Sequence, residues 1–460
     1  MNRSLPDGLL LTFYGDDFTG SSAAMEVTAF AGLPTVLFLH PPTRDQLAQF
    51  ADYRVIGIAG IARSQSPEWM ERNLPAVFRL LRSLGAPIAH YKVCSTFDSA
   101  PHVGSIGRAI DIATVILGGA WHPLVVSDSG MGRYQVFGNL FALANGVGYP
   151  LSEHPTMSRH PVTPMDDANI GRHLAKQTAK RIGLVDFVAM KQRQADVRLA
   201  EQLNAQAEII SLDVLDEQTL AEAGRLIWEN RGERLFGIGS QGFEAALVAY
   251  WRSAGLLPAA PDRFRASAAS RIACVSGSVS PVTASQIAFA IDHGFAPIPL
   301  DAARAVDATA WESELGHAVE CGLAALGQGR DPLVYTAAGP DDPAVQALRN
   351  AIAVGGASTA MVNDRIGVGL GSILNRILRE TRLGRAVISG GDTSGHAAST
   401  LGIYALTAVA PIAAGSPLCR AHTSDTALAG LEIALKGGQV GAPDFFCAVK
   451  HGSAKQGHSF

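Results

Sequence analysis

Residues 9–31 read LLLTFYGDDFTGSSAAMEVTAFA and contain a complete strand–turn–helix unit. The apolar run at 9–14 predicts a buried β-strand, the polar residues at 15–21 a turn, and the residues at 22–31 a helix. Similar apolar runs recur along the chain, and several are separated by amphipathic stretches such as 67–84. This alternation predicts an α/β fold with largely parallel sheets flanked by helices.

The predicted strands fall into two groups along the chain. They are 9–14, 35–39, 54–59, 89–93, 124–127, 185–189, 208–212 and 235–238, and then 272–275, 297–300, 333–336 and 386–389. Between the groups, the segment 256–265 is rich in proline and lacks periodicity, which predicts a linker. A chain of 460 residues is also long for a single core. We therefore predict two domains, residues 1–262 and 263–460.

The composition narrows the classes of function. With 47% hydrophobic and 17% charged residues, the chain has the balance of a globular protein. The net charge of −4, without a run of lysine or arginine, gives no support for binding nucleic acid or a membrane surface. Five scattered cysteines without a CxxC pair suit a reducing compartment. No apolar run approaches the roughly 20 residues of a membrane span, and the N-terminal run is too short for a signal peptide. These features predict a cytoplasmic protein.

The turn after the first predicted strand contains two adjacent carboxylates, Asp16 and Asp17. Ligands of open parallel sheets bind beyond the carboxyl ends of the strands. Neighbouring carboxylates are unfavourable there unless they are solvated, paired or functional. We predict that the pair holds a substrate hydroxyl and that Asp17 acts as its base. N-capping of the following helix by an aspartate is the structural alternative.

Cations and hydroxyls follow two further strands. Lys92, Ser95 and Thr96, with Asp98 close by, predict a site for a substrate carboxylate. Arg63, after the third predicted strand, offers that carboxylate a bidentate partner. Taken alone, Arg63 would be assigned to the surface.

Two other polar segments belong to the first half. The sequence SDSG at 127–130 repeats the pattern of polar residues after the fifth predicted strand. The sequence HPVTPMDD at 160–167 predicts either a lid or an ordinary loop that ends in a helix cap. The 13 histidines show no spacing typical of metal ligands.

In the second half, CVSGSVSPVT at 274–283 leads from a strand through a turn of small residues into a helix. Ser280 is suited to the N-cap and Pro281 to the first helical position. The N-terminus of a helix presents unpaired N–H groups and a positive dipole end, and the small residues around Ser278 allow close approach of a ligand. This arrangement favours phosphate binding. An ordinary capped turn is the alternative.

The sequence VISGGDTSG at 387–395 repeats this arrangement, with a helix predicted from residue 396. Gly390 and Gly391 form the turn. Asp392 is predicted to hold Mg²⁺, directly or through water, and Thr393 to meet phosphate oxygens.

A third glycine-rich turn reads LKGGQVG at 435–441. Here Lys436 would add a cation and Gly438 a flat surface, although a helix that ends in a C-cap is equally compatible with the pattern. The chain has no GxxxxGK[ST] motif, which excludes a P-loop kinase. The glycines at 367–371 lie within a helical pattern and lack the spacing of a dinucleotide fingerprint.

Seven motifs together identify a family resemblance. They are DDFTG at 16–20, KVCSTFDS at 92–99, PVTPM at 161–165, GIGSQG at 237–242, SGSVSPVT at 276–283, SGGDTSG at 389–395 and LKGGQVGAPDFF at 435–446. Their identity and order make the chain resemble the four-carbon acid sugar kinase family over nearly its whole length.

The resemblance implies an ATP-dependent kinase that phosphorylates a hydroxyl of threonate, erythronate or their 3-oxo forms. It implies that the N-terminal domain holds the sugar acid and that the C-terminal domain holds ATP with Mg²⁺. The implied sugar-acid residues are Asp16, Asp17, Arg63, Lys92, Ser95, Thr96 and Asp98, and the implied nucleotide residues are Ser278, Ser280, Gly390, Gly391, Asp392, Thr393 and Gly438.

One segment departs from the family pattern. STFDS at 95–99 is similar to the 3-oxo-tetronate branch, but the residues that follow, APHVGSIG at 100–107, differ from that branch. A branched or longer acid sugar therefore stays open as the acceptor.

Two alternatives to a kinase use the same polar pocket. A lyase or an oxidoreductase acting on sugar acids would not need two phosphate-type turns in the second domain. A catalytically silent sugar-acid sensor would not need to keep Asp392 or the pair of Asp16 and Asp17. The sequence leaves the assembly open, with a homodimer as one option.

Overall fold

A computed structural model of the chain describes residues 4–144, 146–259 and 264–453. The chain divides into two compact units. As far as the structure describes them, residues before 38 and from 41 to 261 form the first unit, and residues 38–40 and from 262 onward form the second. The predicted boundary between residues 262 and 263 lies outside the described residues.

The first unit contains eleven described strands and nine α-helices. The strands are β1 (Leu11–Gly15), β2 (Thr35–Phe38), β3 (Val55–Ala59), β4 (Ile88–Lys92), β5 (His122–Val125), β6 (Arg133–Val136), β7 (Asn139–Ala144), β8 (Val147–Pro150), β9 (Ile182–Val185), β10 (Ile209–Leu212) and β11 (Leu235–Gly239). The helices are α1 (Phe18–Phe30), α2 (Arg44–Ala48), α3 (Pro67–Ser83), α4 (Ile106–Leu117), α5 (Ile170–Ala175), α6 (Phe187–Lys191), α7 (Ala195–Asn204), α8 (Glu217–Glu229) and α9 (Gly242–Ser253).

The main sheet of this unit has the strand order β2-β3-β1-β4-β11-β5-β10-β9. From β3 to β9 every neighbouring pair is parallel. The register places Gly15 beside Ala59 and Lys92, and Gly239 beside Lys92 and Val125. Because these residues end their strands, the five turns that follow them lie along one edge of the sheet.

Helix α3 packs against this sheet through the apolar face that its sequence pattern predicts. Ser66 caps its first turn by accepting a hydrogen bond from the backbone of Trp69, and a proline stands at the first helical position. Its buried residues are spaced three or four apart and include Leu74 and Phe78, both fully buried. The amphipathic helix predicted at 67–84 is confirmed.

An antiparallel sheet, β6-β7-β8, is inserted between β5 and β9. The fully buried carboxylate of Asp213, which follows β10, holds this insertion in place. It accepts hydrogen bonds from the backbone N–H groups of Phe137 (2.6 Å), Gly138 (2.9 Å) and Phe187 (3.2 Å), and from the side chain of Gln135 (3.0 Å). One carboxylate therefore joins the β6–β7 turn to the start of α6.

The second unit contains seven described strands and six α-helices. The strands are β12 (Ala273–Ser276), β13 (Phe295–Pro299), β14 (Asp331–Tyr335), β15 (Arg385–Ser389), β16 (Ile403–Ala413), β17 (Ser416–Thr423) and β18 (Glu432–Lys436). The helices are α10 (Pro281–Asp292), α11 (Ala308–Gly327), α12 (Pro343–Gly355), α13 (Thr359–Thr381), α14 (Gly391–Thr400) and α15 (Phe445–His451).

Its strands follow the order β13-β14-β12-β15-β18-β17-β16. The first five, from β13 to β18, are parallel to one another, whereas β17 runs antiparallel to its neighbours β18 and β16. Ser276 is level with Ser389, and Ser389 is level with Lys436. The three glycine-rich turns that follow these residues therefore lie side by side. The α/β prediction with two largely parallel sheets is confirmed.

One predicted strand is wrong. The segment 185–189 was predicted as a strand, but β9 ends at Val185 and α6 begins at Phe187. Asp186 caps this helix by accepting a hydrogen bond from the backbone of Ala189 at 2.8 Å, so the apolar residues belong to a helical turn. The hairpins β6–β8 and β16–β17 were not predicted. Among the described residues, no helix has the length and apolar character needed to cross a bilayer.

Replacement of the buried carboxylate in Asp213→Ala should lower the free energy of unfolding of the first unit by about 2–4 kcal/mol. The four donors would lose their acceptor inside the protein, where water does not replace it fully. Thermal or urea denaturation followed by circular dichroism measures the change. The exposed carboxylate of Asp52 provides the control, since Asp52→Ala should leave stability within about 0.5 kcal/mol. Equal stability of the two variants would contradict this role of Asp213.

Candidate active site

The edge of the first sheet gathers most of the polar residues singled out in the first half. Asp16 and Asp17 follow β1, Arg63 follows β3, and the segment 92–98 continues from β4. Asp16, Lys92, Thr96 and Asp98 are buried, whereas Ser95 is partly exposed and forms no hydrogen bond within the described residues. The predicted sugar-acid residues are therefore brought together at one edge.

Arg63 binds both adjacent carboxylates. Its Nη2 donates to Asp16 at 2.7 Å and to Asp17 at 3.0 Å, while its Nε donates to Asp16 at 3.2 Å and its Nη1 to Asp17 at 2.9 Å. The side chain of Arg63 is only 26% exposed. The assignment of Arg63 to the surface is therefore wrong, because two carboxylates at the end of β1 need a cation to compensate their charge. The acids that Arg63 binds here belong to the protein itself.

The two aspartates differ in electrostatic environment. Burial raises the pKa of Asp16, and Arg63 offsets this only in part. Burial acts in the same direction on Asp17, but the charges of Arg63 and Lys92 hold its pKa below the ordinary value. The side chain of Asp17 is 24% exposed and that of Asp16 only 4%. Asp17 is therefore ionised and the more accessible of the two.

Asp17 is also the N-cap of α1, which is the structural alternative considered from the sequence. Its carboxylate accepts hydrogen bonds from the backbone of Gly20 at 2.9 Å and from the hydroxyl of Thr19 at 2.8 Å. Gly20 is required here, because a Cβ at this position would lie 2.3 Å from the Asp17 carboxylate and 2.7 Å from the Nζ of Lys92. The start of the helix thus brings an anion and a cation together around a glycine.

The turn after β4 is a compact hydrogen-bonded cluster. The hydroxyl of Thr96 donates to Asp98 at 2.5 Å and lies 2.9 Å from the sulfur of Cys94. Burial opposes ionisation of Asp98, but Arg63 and the hydroxyl of Thr96 lower its pKa. Phe97 is fully buried with a φ of 55°, a conformation that non-glycine residues rarely adopt. Such strain persists only where the surrounding contacts enforce it.

The structure adds Arg133 and Gln241 to the candidate site residues, and it brings Asp128, from the SDSG segment already noted in the sequence, into contact with both. Asp128 follows β5, Gln241 follows β11, and Arg133 begins β6. The side chain of Gln241 donates to Asp128 at 3.3 Å and to the sulfur of Met131 at 2.8 Å. The sequence signal that could have identified Asp128 and Gln241 is a polar residue soon after a strand, which both SDSG and GIGSQG contain. The sequence does not show that the two strands, β5 and β11, are neighbours in the sheet.

In the second unit, the turn after β12 contacts the turn after β18. Ser280 caps α10, as predicted, and its hydroxyl also donates to the carbonyl of Gly438. Thr283 donates from its hydroxyl to Ser278 and to the carbonyl of Gly438, both at 3.0 Å. A Cβ on Gly438 would lie 2.9 Å from the hydroxyl of Ser278, so the two turns pack without side-chain bulk between them.

Lys436 lies beneath these turns and is fully buried. Its ammonium donates to the hydroxyl of Thr283 at 3.0 Å and to the carbonyls of Gly437 at 2.8 Å and Gly438 at 3.3 Å. These partners carry no charge, and burial lowers its pKa from 10.5 to about 8. Lys436 ends a strand, so the helix C-cap considered for this segment is wrong.

The turn after β15 completes the group. Helix α14 begins at Gly391, five residues before the predicted start, and Gly390 has a φ of 127° that favours glycine. A Cβ on Gly390 would lie 2.8 Å from the hydroxyl of Thr393, and one on Gly277 would lie 2.4 Å from it. The side chain of Asp392 lies outside the described part of the structure. The described residues contain no group of three or more histidine, cysteine, aspartate or glutamate side chains arranged to hold a metal ion.

The second unit therefore presents the start of α14 and the capped start of α10 beside a buried cation. Helix N-termini and glycine turns attract anions, and a buried ammonium without a carboxylate partner gains most from one. These residues fit a phosphate-bearing ligand. The first unit instead offers carboxylates, hydroxyls and cations that suit a polar molecule with several hydroxyl groups.

Comparison with protein families gives two matches. The model described as a sugar-binding N-terminal domain matches residues 11–247, and the model described as a nucleotide-binding C-terminal domain matches residues 273–446. Together they cover both units.

Several relatives match along nearly the whole chain. A 3-oxo-isoapionate kinase from Paraburkholderia graminis is 48% identical over 447 residues, covering 97% of this chain and 95% of the relative. A 3-oxo-tetronate kinase from Methylobacterium radiotolerans is 30% identical over 456 residues, covering 95% and 98%.

Two solved structures share the fold. One is described as a putative tRNA synthase from Salmonella typhimurium LT2, with a TM-score of 0.77 and 22% identity, covering 95% of this chain and 98% of that one. The other is a Haemophilus influenzae protein, with a TM-score of 0.73 and 23% identity, covering 95% and 99%. At these identities the likeness establishes the α/β architecture alone.

The low pKa of Lys436 predicts a gain in stability when its charge is removed. Below a pH of about 8 the folded protein carries this buried charge at a cost in stability, whereas in the unfolded chain the lysine keeps its ordinary pKa of 10.5. Lys436→Met should therefore raise the stability of the ligand-free second unit by about 1–3 kcal/mol at pH 7. The gain should shrink as the pH rises from 8 to 10.5, because wild-type Lys436 then loses its proton in the folded state. Thermal denaturation at pH 7 and pH 9.5 measures both effects.

Lys450 provides the matched control, since its ammonium pairs with the buried carboxylate of Asp331 at 2.6 Å. Lys450→Met should lower the unfolding midpoint. A Lys436→Met variant that is destabilised to the same extent would show that Lys436 is already compensated within the protein.

Proposed function

This chain belongs to the four-carbon acid sugar kinase family and is a sugar-acid kinase, and we propose that its acceptor is 3-oxo-isoapionate or a closely similar branched 3-oxo sugar acid. The observation that carries this proposal is the 48% identity to a 3-oxo-isoapionate kinase over nearly the full chain, against about 30% to a 3-oxo-tetronate kinase. The departure at 100–107 from the 3-oxo-tetronate pattern supports the same choice. The comparisons favour neither a lyase or oxidoreductase nor a silent sensor.

The proposed nucleotide site is the group of turns in the second unit. ATP would supply the γ-phosphoryl group, and Mg²⁺ would neutralise part of its charge. Ser278, Gly390, Gly391, Thr393 and Gly438 would allow close approach of the phosphates to backbone N–H groups. Lys436 supports this assignment, because phosphate would compensate its buried charge. Asp392 is the proposed Mg²⁺ ligand, directly or through water.

The proposed acceptor site is the edge of the first sheet. Asp17 is the proposed base, because it is ionised and more accessible than Asp16, and a base must first reach the proton that it accepts. A substrate hydroxyl would replace Thr19 or one Arg63 nitrogen at the carboxylate. Lys92 would neutralise negative charge near the reacting hydroxyl.

An ATP-consumption screen with Mg²⁺ tests the acceptor. We expect ADP release with 3-oxo-isoapionate to exceed that with D- and L-threonate, D-erythronate and their 3-oxo forms by at least about tenfold in kcat/KM. One additional or missing carbon substituent typically changes discrimination by about 10- to 200-fold. A preference for a linear 3-oxo-tetronate would contradict the proposed acceptor but not the kinase. No ADP release with any acid would contradict the kinase itself.

The role of Asp17 is tested by Asp17→Asn. The amide keeps most of the shape but cannot accept the proton, so kcat should fall by about 10²–10⁴-fold. Binding of ATP, measured by calorimetry, should stay within about twofold, because the change lies in the other unit. Asp52→Asn, which alters an exposed carboxylate of the same unit, is the control. A kcat near that of the wild type would show that Asp17 is not the base.

A further inference from the structure

The carboxylate of a sugar acid needs a cation, and the cations of the first unit differ in how far they are already compensated. Arg63 donates four hydrogen bonds to Asp16 and Asp17. Lys92 donates to the carbonyl of Val93 at 2.7 Å, and its charge acts on Asp17. Arg63 therefore has no free charge to offer without breaking contacts within the protein, whereas the charge of Lys92 acts beside Asp17, the proposed base.

The guanidinium of Arg133 differs from that of Arg63 in its partners. Its Nη1 donates only to the backbone carbonyls of Met131 at 3.2 Å and Gly132 at 3.3 Å. Its Nε is buried and has no hydrogen-bond partner among the described residues, and no described carboxylate forms an ion pair with it. A buried donor without an acceptor is unfavourable in a folded protein, so this Nε is available to a ligand.

The electrostatic contrast with Arg63 supports this distinction. Burial opposes the charge of Arg63, yet Asp16 and Asp17 raise its pKa well above the ordinary range. Burial lowers the pKa of Arg133 below its ordinary value, and the nearby Asp128 does not offset this effect. The charge of Arg133 is thus incompletely compensated within the protein.

Arg133 also lies at the proposed acceptor site. Its backbone N–H donates to the carbonyl of Asp128 at 3.0 Å, in the turn after β5. Strand β11 pairs with both β4 and β5, so the turn after β5 lies along the same edge of the sheet as the turn after β4. Arg133 and the carboxylate pair that Arg63 binds therefore lie at the same edge.

The backbone that carries Arg133 is held firmly. The N–H of Gln135, two residues further along β6, donates to the carbonyl of Val214 at 2.8 Å. The side chain of Gln135 donates to Ser211 at 2.8 Å and to Asp213 at 3.0 Å. An arginine at the start of such a strand is preorganised, which limits the entropy lost when it binds an anion.

We propose that Arg133 binds the carboxylate of the sugar acid through its Nε and a terminal nitrogen, and so selects acids over neutral sugars. This inference rests on the proposed function. It replaces Arg63 as the bidentate partner of the substrate carboxylate and leaves Arg63 to hold Asp16 and Asp17. The planar fork of a guanidinium matches the two oxygens of a carboxylate.

The test compares the preferred acid with a neutral analogue in which the carboxylate is reduced to an alcohol. Arg133→Gln should raise KM for the acid by about 10- to 100-fold, the range expected for loss of a charged hydrogen bond. KM for ATP, and kcat/KM for the neutral analogue, should change by less than about threefold. If the wild type does not turn the analogue over, its inhibition constant replaces kcat/KM.

Two further variants complete the experiment. Arg133→Lys keeps the charge without the fork, so its KM for the acid should lie between those of the wild type and Arg133→Gln. If the glutamine variant folds poorly, the lysine variant alone tests the inference, because its KM for the acid should still exceed that of the wild type. Arg252→Gln, at an exposed position in α9, should match the wild type.

Equal losses with the acid and the neutral analogue would show a structural role and overturn the inference. An unchanged KM for the acid would overturn it as well. A wild-type enzyme that phosphorylates no acid would instead contradict the proposed function, and the inference would fall with it.

Discussion

The binding of two adjacent carboxylates by one guanidinium organises the first unit. Asp16 and Asp17 leave the end of β1 together, and Arg63 compensates the charge of this pair because it reaches both carboxylates. Asp17 at the same time caps α1, so the interaction fixes the end of a strand and the start of a helix. The remaining polar residues of this edge are arranged around that neutralised pair. Lys92 adds a second cation beside Asp17, and Asp98 lies within range of Arg63.

The second unit has the opposite arrangement of charge, a buried cation without an anion. Lys436 is buried among neutral partners, and its lowered pKa reflects a charge for which the protein supplies no anion. A phosphate-bearing ligand would supply one, so stability of the ligand-free state is exchanged for affinity. The glycines around Lys436 serve this arrangement, because a side chain at Gly438 would fill the space next to Ser278. The first unit therefore contains compensated acids, and the second contains an uncompensated cation.

Much of the candidate site could be predicted because parallel sheets place ligands at the carboxyl ends of strands. Polar residues that directly follow apolar runs, such as Asp16 and Ser278, were identified for that reason. Arg133 was not, because it begins a short antiparallel strand and no apolar run precedes it. The role of Arg63 was also unpredictable, since an arginine in a turn has the same local sequence whether it faces solvent or two buried aspartates. The segment 185–189 shows a further limit, because a short apolar run fits a strand or a helical turn equally well until its cap is known.

The sequence by itself determined the α/β class, the presence of two domains and the positions of the turns rich in glycine and serine. Each depends on local patterns: the alternation of apolar runs with amphipathic stretches, and glycine and serine at the start of helices. Only the tertiary structure decided which of these turns are neighbours. Strand order brings together β3, β1 and β4 in one sheet and β12, β15 and β18 in the other, although they are distant in sequence. Compensation of charge depends on the distances between side chains in the folded chain. Only the tertiary structure therefore shows that Arg63 is fully paired, whereas Arg133 and Lys436 are not.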